Sequence, residues 1–183
     1  MRFDDIEKIV EWGQDPTKFL EDCVSLKIVD GDVPLVVTPY QKRMFDAITN
    51  NQFTACKLFR QAGKTSAAVA YCLWYLIFHR NVNVVFVNRS RMEAVNAVRC
   101  LDRMYESLPG MIRPRVRMAD PGMTSLKMRF ENGSTFHSTD MRGFETYFRM
   151  FGELNGLISY HDRIDLIILD DFANFSENDV EDL

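Results

Sequence analysis

The stretch Leu58-Phe59-Arg60-Gln61-Ala62-Gly63-Lys64-Thr65 decides how the rest of the chain is read. It joins a short apolar run, Phe53–Phe59, to a long apolar segment from Lys64 to His79. The run predicts a strand and the segment a helix, which is the context a phosphate-binding loop needs. Backbone N–H groups of the first helical turn point at such a site, and the helix dipole adds partial positive charge. Gly63 lets the backbone approach phosphate oxygens where a Cβ would obstruct it. Lys64 is placed for the β- and γ-phosphate oxygens, and the Thr65 hydroxyl for Mg²⁺, with Ser66 continuing the turn. As a bare tripeptide Gly63-Lys64-Thr65 carries little information, and Leu58 stands where the general pattern has its first glycine. Its weight comes from the placement between strand and helix.

Downstream, strands and helices alternate. Val82–Asn88 is almost wholly β-branched and apolar, as a strand buried on both faces should be. Ser90–Leu108 has a helical pattern and ends at Pro109-Gly110. Leu126–Glu131 and Ser134–Thr139 flank Asn132-Gly133, a two-residue hairpin signal. A helix is expected over Arg149–Tyr160, and Asp165–Leu169 reads as a last buried strand running into two aspartates. Such alternation predicts an α/β fold, a parallel sheet with helices on both faces. Upstream, residues 1–37 form a mainly polar lead-in with two short amphipathic helices broken near Gly13–Pro16 and a turn at Asp30-Gly31-Asp32. Pro39 then opens a helix through about Thr49, with Thr38 as its N-cap. The expected organisation is a lead-in over 1–37 and one nucleotide-binding domain over 38–183.

Two further segments carry chemistry. Leu166-Ile167-Ile168-Leu169-Asp170-Asp171 sets carboxylates at the C-terminal end of a strand, where α/β sheets bind ligands. Asp170 would hold Mg²⁺, directly or through water, and Asp171 would orient or deprotonate an attacking water; the plainer alternative is a strand entering an acidic loop. Thr38-Pro39-Tyr40-Gln41 precedes the first strand. The Gln41 amide offers a donor and an acceptor to an adenine edge, and Tyr40 a ring to pack near the base; the alternative is an ordinary helix start.

Composition narrows the classes. With 183 residues, 46% hydrophobic and 26% charged, the chain is long enough for one well-buried domain. A formal net charge of -4 argues against the whole chain being an electrostatic nucleic-acid binder. Locally, seven arginines from Arg89 to Arg117 face three acids, Glu93, Asp102 and Glu106, and the stretch reads either as phosphate contacts or as a solvated helix face. Cys23, Cys56, Cys72 and Cys100 are scattered and share no metal-ligand spacing with His79, His137 or His161. Most of them read as small core hydrophobes, and the set as neither a zinc site nor a disulfide framework. The most apolar stretch, Ala67–Phe78, is shorter than the roughly 20 residues a membrane span requires, and the N-terminus has no apolar signal core.

Taken jointly, these motifs resemble those of tailed-bacteriophage large terminases. The likeness rests on Tyr40-Gln41 ahead of the strand, Arg60-Gln61-Ala62-Gly63-Lys64-Thr65, and the helix end Leu108-Pro109. It also rests on Glu131-Asn132-Gly133-Ser134, Arg142-Gly143, Asp170-Asp171-Phe172-Ala173 and the Gln14-Asp15-Pro16…Phe19 lead-in. That family has a deviant phosphate loop with Arg-Gln inside it, which accommodates Leu58. The resemblance implies a P-loop NTPase of the ASCE/RecA-like kind, an ATPase using ATP and Mg²⁺ to translocate double-stranded DNA into a capsid in the host cytoplasm. Implied partners are the DNA, the portal and procapsid, a small terminase subunit and further copies in a ring. Arg60 would act as an arginine finger; Arg142 matches an arginine without an assignable role, a surface ion pair being an equal reading.

The chain also departs from that pattern. Asp171 stands where the family usually has Glu, one methylene longer. Phe144–Arg163 reads as an aromatic-rich insertion. The sequence ends soon after Asp171, before the later ATPase segments and the nuclease domain, so a second polypeptide or further sequence is expected to complete the sheet. Two other readings stand beside the motor ATPase: a helicase-like DNA translocase, and a non-catalytic nucleotide-binding assembly module or split-gene fragment.

Overall fold

The structure, a computed structural model, describes residues 3–28, 31–113, 126–152 and 164–171. The chain divides into two compact units, Met1–Phe78 with Cys100–Pro114, and His79–Arg99 with Arg115–Leu183.

In the first unit the lead-in is ordered by its caps. Helix α1 (Phe3–Gln14) gives way to α2 (Pro16–Cys23) because Asp15 accepts hydrogen bonds from the Thr17 and Lys18 N–H groups at 2.8 and 3.2 Å, with Pro16 in the first turn. Trp12 is buried; its Nε1 donates to Asp22 and its carbonyl accepts from Trp74 Nε1. An antiparallel hairpin follows, β1 (Ser25–Ile28) with β2 (Gly31–Pro34). It replaces the simple turn expected around Asp30-Gly31-Asp32, although residues 29–30 lie outside the described residues.

Helix α3 (Pro39–Asn50) starts where the sequence places it, at Thr38-Pro39. Helix α4 (Lys64–Phe78) is apolar nearly all round and buries Ala67–Trp74 and Leu76, which makes it the unit's central element. The expected strand Phe53–Phe59 is not formed: these residues have no ladder partner among the described residues, and Phe53 is 87% exposed. Local apolarity promised a strand, but Thr54 bonds back to the Ala47 carbonyl at 3.0 Å and Lys57 breaks the run.

The second unit carries a four-stranded mixed sheet in the order β4–β5–β3–β6, made of β3 (Asn83–Asn88), β4 (Lys127–Arg129), β5 (Thr135–Asp140) and β6 (Leu166–Leu169). Strands β5, β3 and β6 are mutually parallel, with Asn88 opposite Asp140 and Val87 opposite Leu169. The expected parallel pairing holds for these three strands, and β4 adds the antiparallel hairpin expected around Asn132-Gly133, which makes the sheet mixed rather than parallel throughout. The β4–β5 connection is a three-residue loop rather than the expected two-residue turn. The Gly133 N–H donates to the Phe130 carbonyl and the Phe130 N–H to Ser134, with φ +85 at Gly133 and no positive φ at Asn132. That is a type I turn closed by a glycine bulge.

Helix α5 (Arg91–Ser107) follows β3 and belongs in part to each unit. Helix α6 (Met141–Gly152) leaves β5 directly and starts well before the expected Arg149; the remainder of that expected helix lies outside the described residues. Asp140 caps it by accepting the Gly143 N–H at 2.9 Å. Met141 and Phe144 then pack on Val85 and Val87, with Ile164 and Leu169 alongside. Phe144, the first residue of the supposed insertion, is therefore part of this core.

A candidate phosphate-binding site

Within the first unit, residues Arg60–Gly63 turn tightly into α4. The turn uses two left-handed residues, Gln61 at φ +64 and Gly63 at φ +70. Gly63 closes the helix: its carbonyl accepts the Ala67 N–H at 2.9 Å, so Lys64 and Thr65 occupy the first turn. A helix N-terminus of this kind concentrates donor N–H groups and partial positive charge. Lys64 adds a cation and Thr65 a hydroxyl at the same place. Arg60, Gln61, Gly63, Thr65 and Ser66 are exposed, Lys64 is half-buried, and Ala62 is buried.

Tyr40 and Gln41 meet this loop. The Tyr40 hydroxyl donates to the Ala62 carbonyl at 3.0 Å, and Gln41 Nε2 donates to the same oxygen at 3.3 Å. Gln41 Oε1 accepts the Thr38 N–H at 3.0 Å, closing the first turn of α3. The Tyr40 ring packs edge-on to Phe59, with centroids 5.3 Å apart. A Cβ on Gly63 would lie 3.1 Å from Gln41 Nε2, a contact the Gln41 side chain would have to give way to, and φ +70 itself favours glycine there. The Thr38 hydroxyl is buried and makes no hydrogen bond in the structure.

The second unit holds the acidic pair. Asp170 follows β6 and donates its N–H to the Val87 carbonyl at 2.9 Å, which sets it beside Asn88 at the carboxyl edge of the parallel strands. Asp171 is exposed, in a turn with φ +54. Asp140, Asn88 and Asp170 thus lie side by side across three strand ends. Asn88 is buried; its Nδ2 donates to Ser138 Oγ at 2.9 Å while its Oδ1 has no partner. Sequence reasoning passed over Asn88 and Asp140, and the available signal was a polar residue closing an apolar strand. Arg142 is exposed in the first turn of α6.

Cys23 and Cys72 are buried; burial, with Asp22 adding to it, pushes the Cys23 thiol up to about 12, and burial also raises Cys72. Cys100 is half-buried, and Cys56 is the exposed exception. Of the basic stretch, Arg89, Arg91, Arg99, Arg103 and Arg113 are exposed. Among the described residues no cluster of three or more His, Cys, Asp or Glu side chains is arranged to hold a metal, and no helix is long and apolar enough to cross a membrane.

No family model matches this chain, and no curated protein sequence does. Among solved structures it is similar to the crystal structure of the HK97 bacteriophage large terminase, with a TM-score of 0.60 at 19% identity. The match covers 86% of this chain and 30% of that one. The two share a fold: an α/β arrangement with a sheet flanked by helices.

Proposed function

We propose that this chain binds Mg·ATP at the loop Arg60–Thr65 and is the ATP-hydrolysing part of a DNA-packaging motor of the large-terminase kind. The observation that carries the reading is the loop-to-helix geometry. Gly63 is left-handed and closes the N-terminus of a long buried helix, whose first turn holds Lys64 and Thr65. Donor N–H groups, a cation and a hydroxyl at one helix end suit a magnesium-bound polyphosphate. The fold shared with a phage large terminase supports the same reading.

In this reading Lys64 would bind the β- and γ-phosphate oxygens and Thr65 would ligate Mg²⁺ at the loop; the resemblance, not the geometry, assigns Asp170 to the metal as well. Asp171 orients the attacking water and takes its proton, while Arg60 offsets charge developing on the transferred phosphoryl group. The metal would supply charge neutralisation at the phosphate oxygens. Capsid, portal, small-subunit and double-stranded DNA partners belong to this proposal through the resemblance. Cooperative unfolding followed with and without Mg·ATP tests it. Ligand at 100 times its Kd should stabilise the chain by about 2.7 kcal/mol, and Lys64→Ala should remove that stabilisation. A shift that survives in Lys64→Ala overturns the site. Binding without turnover, in the chain and in any assembly containing it, would favour a nucleotide-binding module.

A further inference from the structure

The Ala62 carbonyl oxygen has two lone pairs, and both are taken from α3, by the Tyr40 hydroxyl and by Gln41 Nε2. Among the described residues no peptide bond is cis, so the Ala62–Gly63 peptide carries its N–H on the side opposite its carbonyl. Holding the oxygen toward α3 therefore aims the Gly63 N–H away from α3. Gly63 is the residue at which such a peptide could most easily rotate, because glycine populates both signs of φ at little cost. Rotation would replace an N–H by a carbonyl oxygen on the loop's other side, which an anion would repel. The Gln41 amide is meanwhile engaged at both ends, Oε1 by the Thr38 N–H and Nε2 by Ala62. These bonds leave one Nε2 hydrogen and one Oε1 lone pair, but they fix the amide against the loop carbonyl and the first turn of α3.

We propose that Tyr40 and Gln41 are positioning residues that lock the Ala62–Gly63 peptide with its N–H toward the phosphate side, and that neither discriminates the base. The inference rests on the nucleotide-binding reading of the loop and departs from the adenine-reading role expected for Gln41. It makes recognition by these residues a matter of the triphosphate: Tyr40 and Gln41 contribute equally to any nucleoside triphosphate and to inorganic triphosphate.

The test uses residues 1–183 carrying Tyr40→Phe or Gln41→Ala. Tyr40→Phe deletes one oxygen and keeps the ring that packs on Phe59, so it remains informative if Gln41→Ala folds poorly. Calorimetric titrations with Mg²⁺ and ATP, GTP or inorganic tripolyphosphate should show each variant weakened for all three by one common factor, about two- to tenfold. Without ligand, amide hydrogen exchange at Gly63–Thr65 should be faster in both variants than in wild type. A loss confined to ATP, with tripolyphosphate binding unchanged, overturns the proposal in favour of base reading, and so does unchanged exchange. If wild type binds none of the three ligands, the nucleotide reading falls, while the exchange comparison still decides whether the brace exists.

Discussion

At Asp171 the backbone is left-handed, φ +54, in a residue with a side chain. Asp and Asn enter that region far more readily than longer or branched residues do. This gives a physical reason for Asp where the resembling family usually has Glu: the turn after β6 selects the shorter side chain. Asp171→Asn should leave folding stability within about 0.5 kcal/mol, whereas Asp171→Val should cost about 1–2 kcal/mol, read by urea unfolding. From the proposed role, Asp171→Asn should retain nucleotide binding and lose turnover, while Asp170→Asn weakens the Mg²⁺ dependence of binding. Equal hydrolysis by Asp171→Asn and wild type would remove Asp171 from the chemistry. Gly63, Lys64 and Thr65 fall where the sequence placed them, in a turn ahead of an apolar helix, although the strand expected before that turn is not formed. The engagement of Gln41 was not legible. Its donor and acceptor suit a base edge and a loop carbonyl equally, and only the approach of α3 to Ala62 selects the second.

Among the elements, helices were read best. Their ends are set by local chemistry: at Asp15-Pro16 the Asp15 carboxylate and the proline act within one turn, and at Thr38-Pro39 the proline and the Gln41 amide, which accepts the Thr38 N–H, do so. Strands were harder, since a ladder partner is a long-range fact. Val82–Asn88 was recognised because it is apolar on both faces; Phe53–Phe59 has similar local character and no ladder partner among the described residues, and in the hairpin β1–β2 the alternation of Ser25-Leu26-Lys27-Ile28 is too short to stand out and is not continued in Gly31–Pro34. The β4–β5 loop shows how tertiary contact fixes a turn. A Cβ on Gly133 would run into the Asn81 side chain, and φ there is +85. Gly133→Ala should therefore cost about 1–3 kcal/mol in denaturant unfolding; an unchanged midpoint would show that the loop relaxes freely. On β5, burial and then the Lys127 charge opposite it lower the His137 pKa below its ordinary 6.5. The unfolded chain then binds the proton more tightly, so this contribution to stability is present above pH 6.5 and is lost as pH falls toward the folded value. His137→Gln should flatten the fall in Tm between pH 7.5 and 5.5; a Tm profile parallel to wild type would contradict this.

For the molecule as a whole, what stays uncovered matters as much as what packs. Among the described residues β6 pairs on one side only, with β3, and Ile167 on it is 42% exposed. In the other unit Phe53 and Phe59 are 87% and 63% exposed in a segment with no ladder partner. Natural sheets blunt open edges with charge, proline or a bulge; Leu166-Ile167-Ile168-Leu169 has none of these. Opposing association is a net charge of only -4, which vanishes near the sequence pI of 5.4. The chain of residues 1–183 should therefore self-associate reversibly at tens of micromolar, more strongly at pH 6 than at pH 8. Sedimentation velocity over a concentration series reads this directly. Ile167→Lys places a charge on the edge strand and should shift the series toward monomer, and Phe53→Glu should do so independently if the exposed rings also contribute. The two effects report on different units, so each substitution retains its effect in the double variant if both surfaces act. A chain that stays monomeric at about 100 µM and at both pH values would show that edge and rings are covered in solution, and the argument from exposed apolar surface would fail.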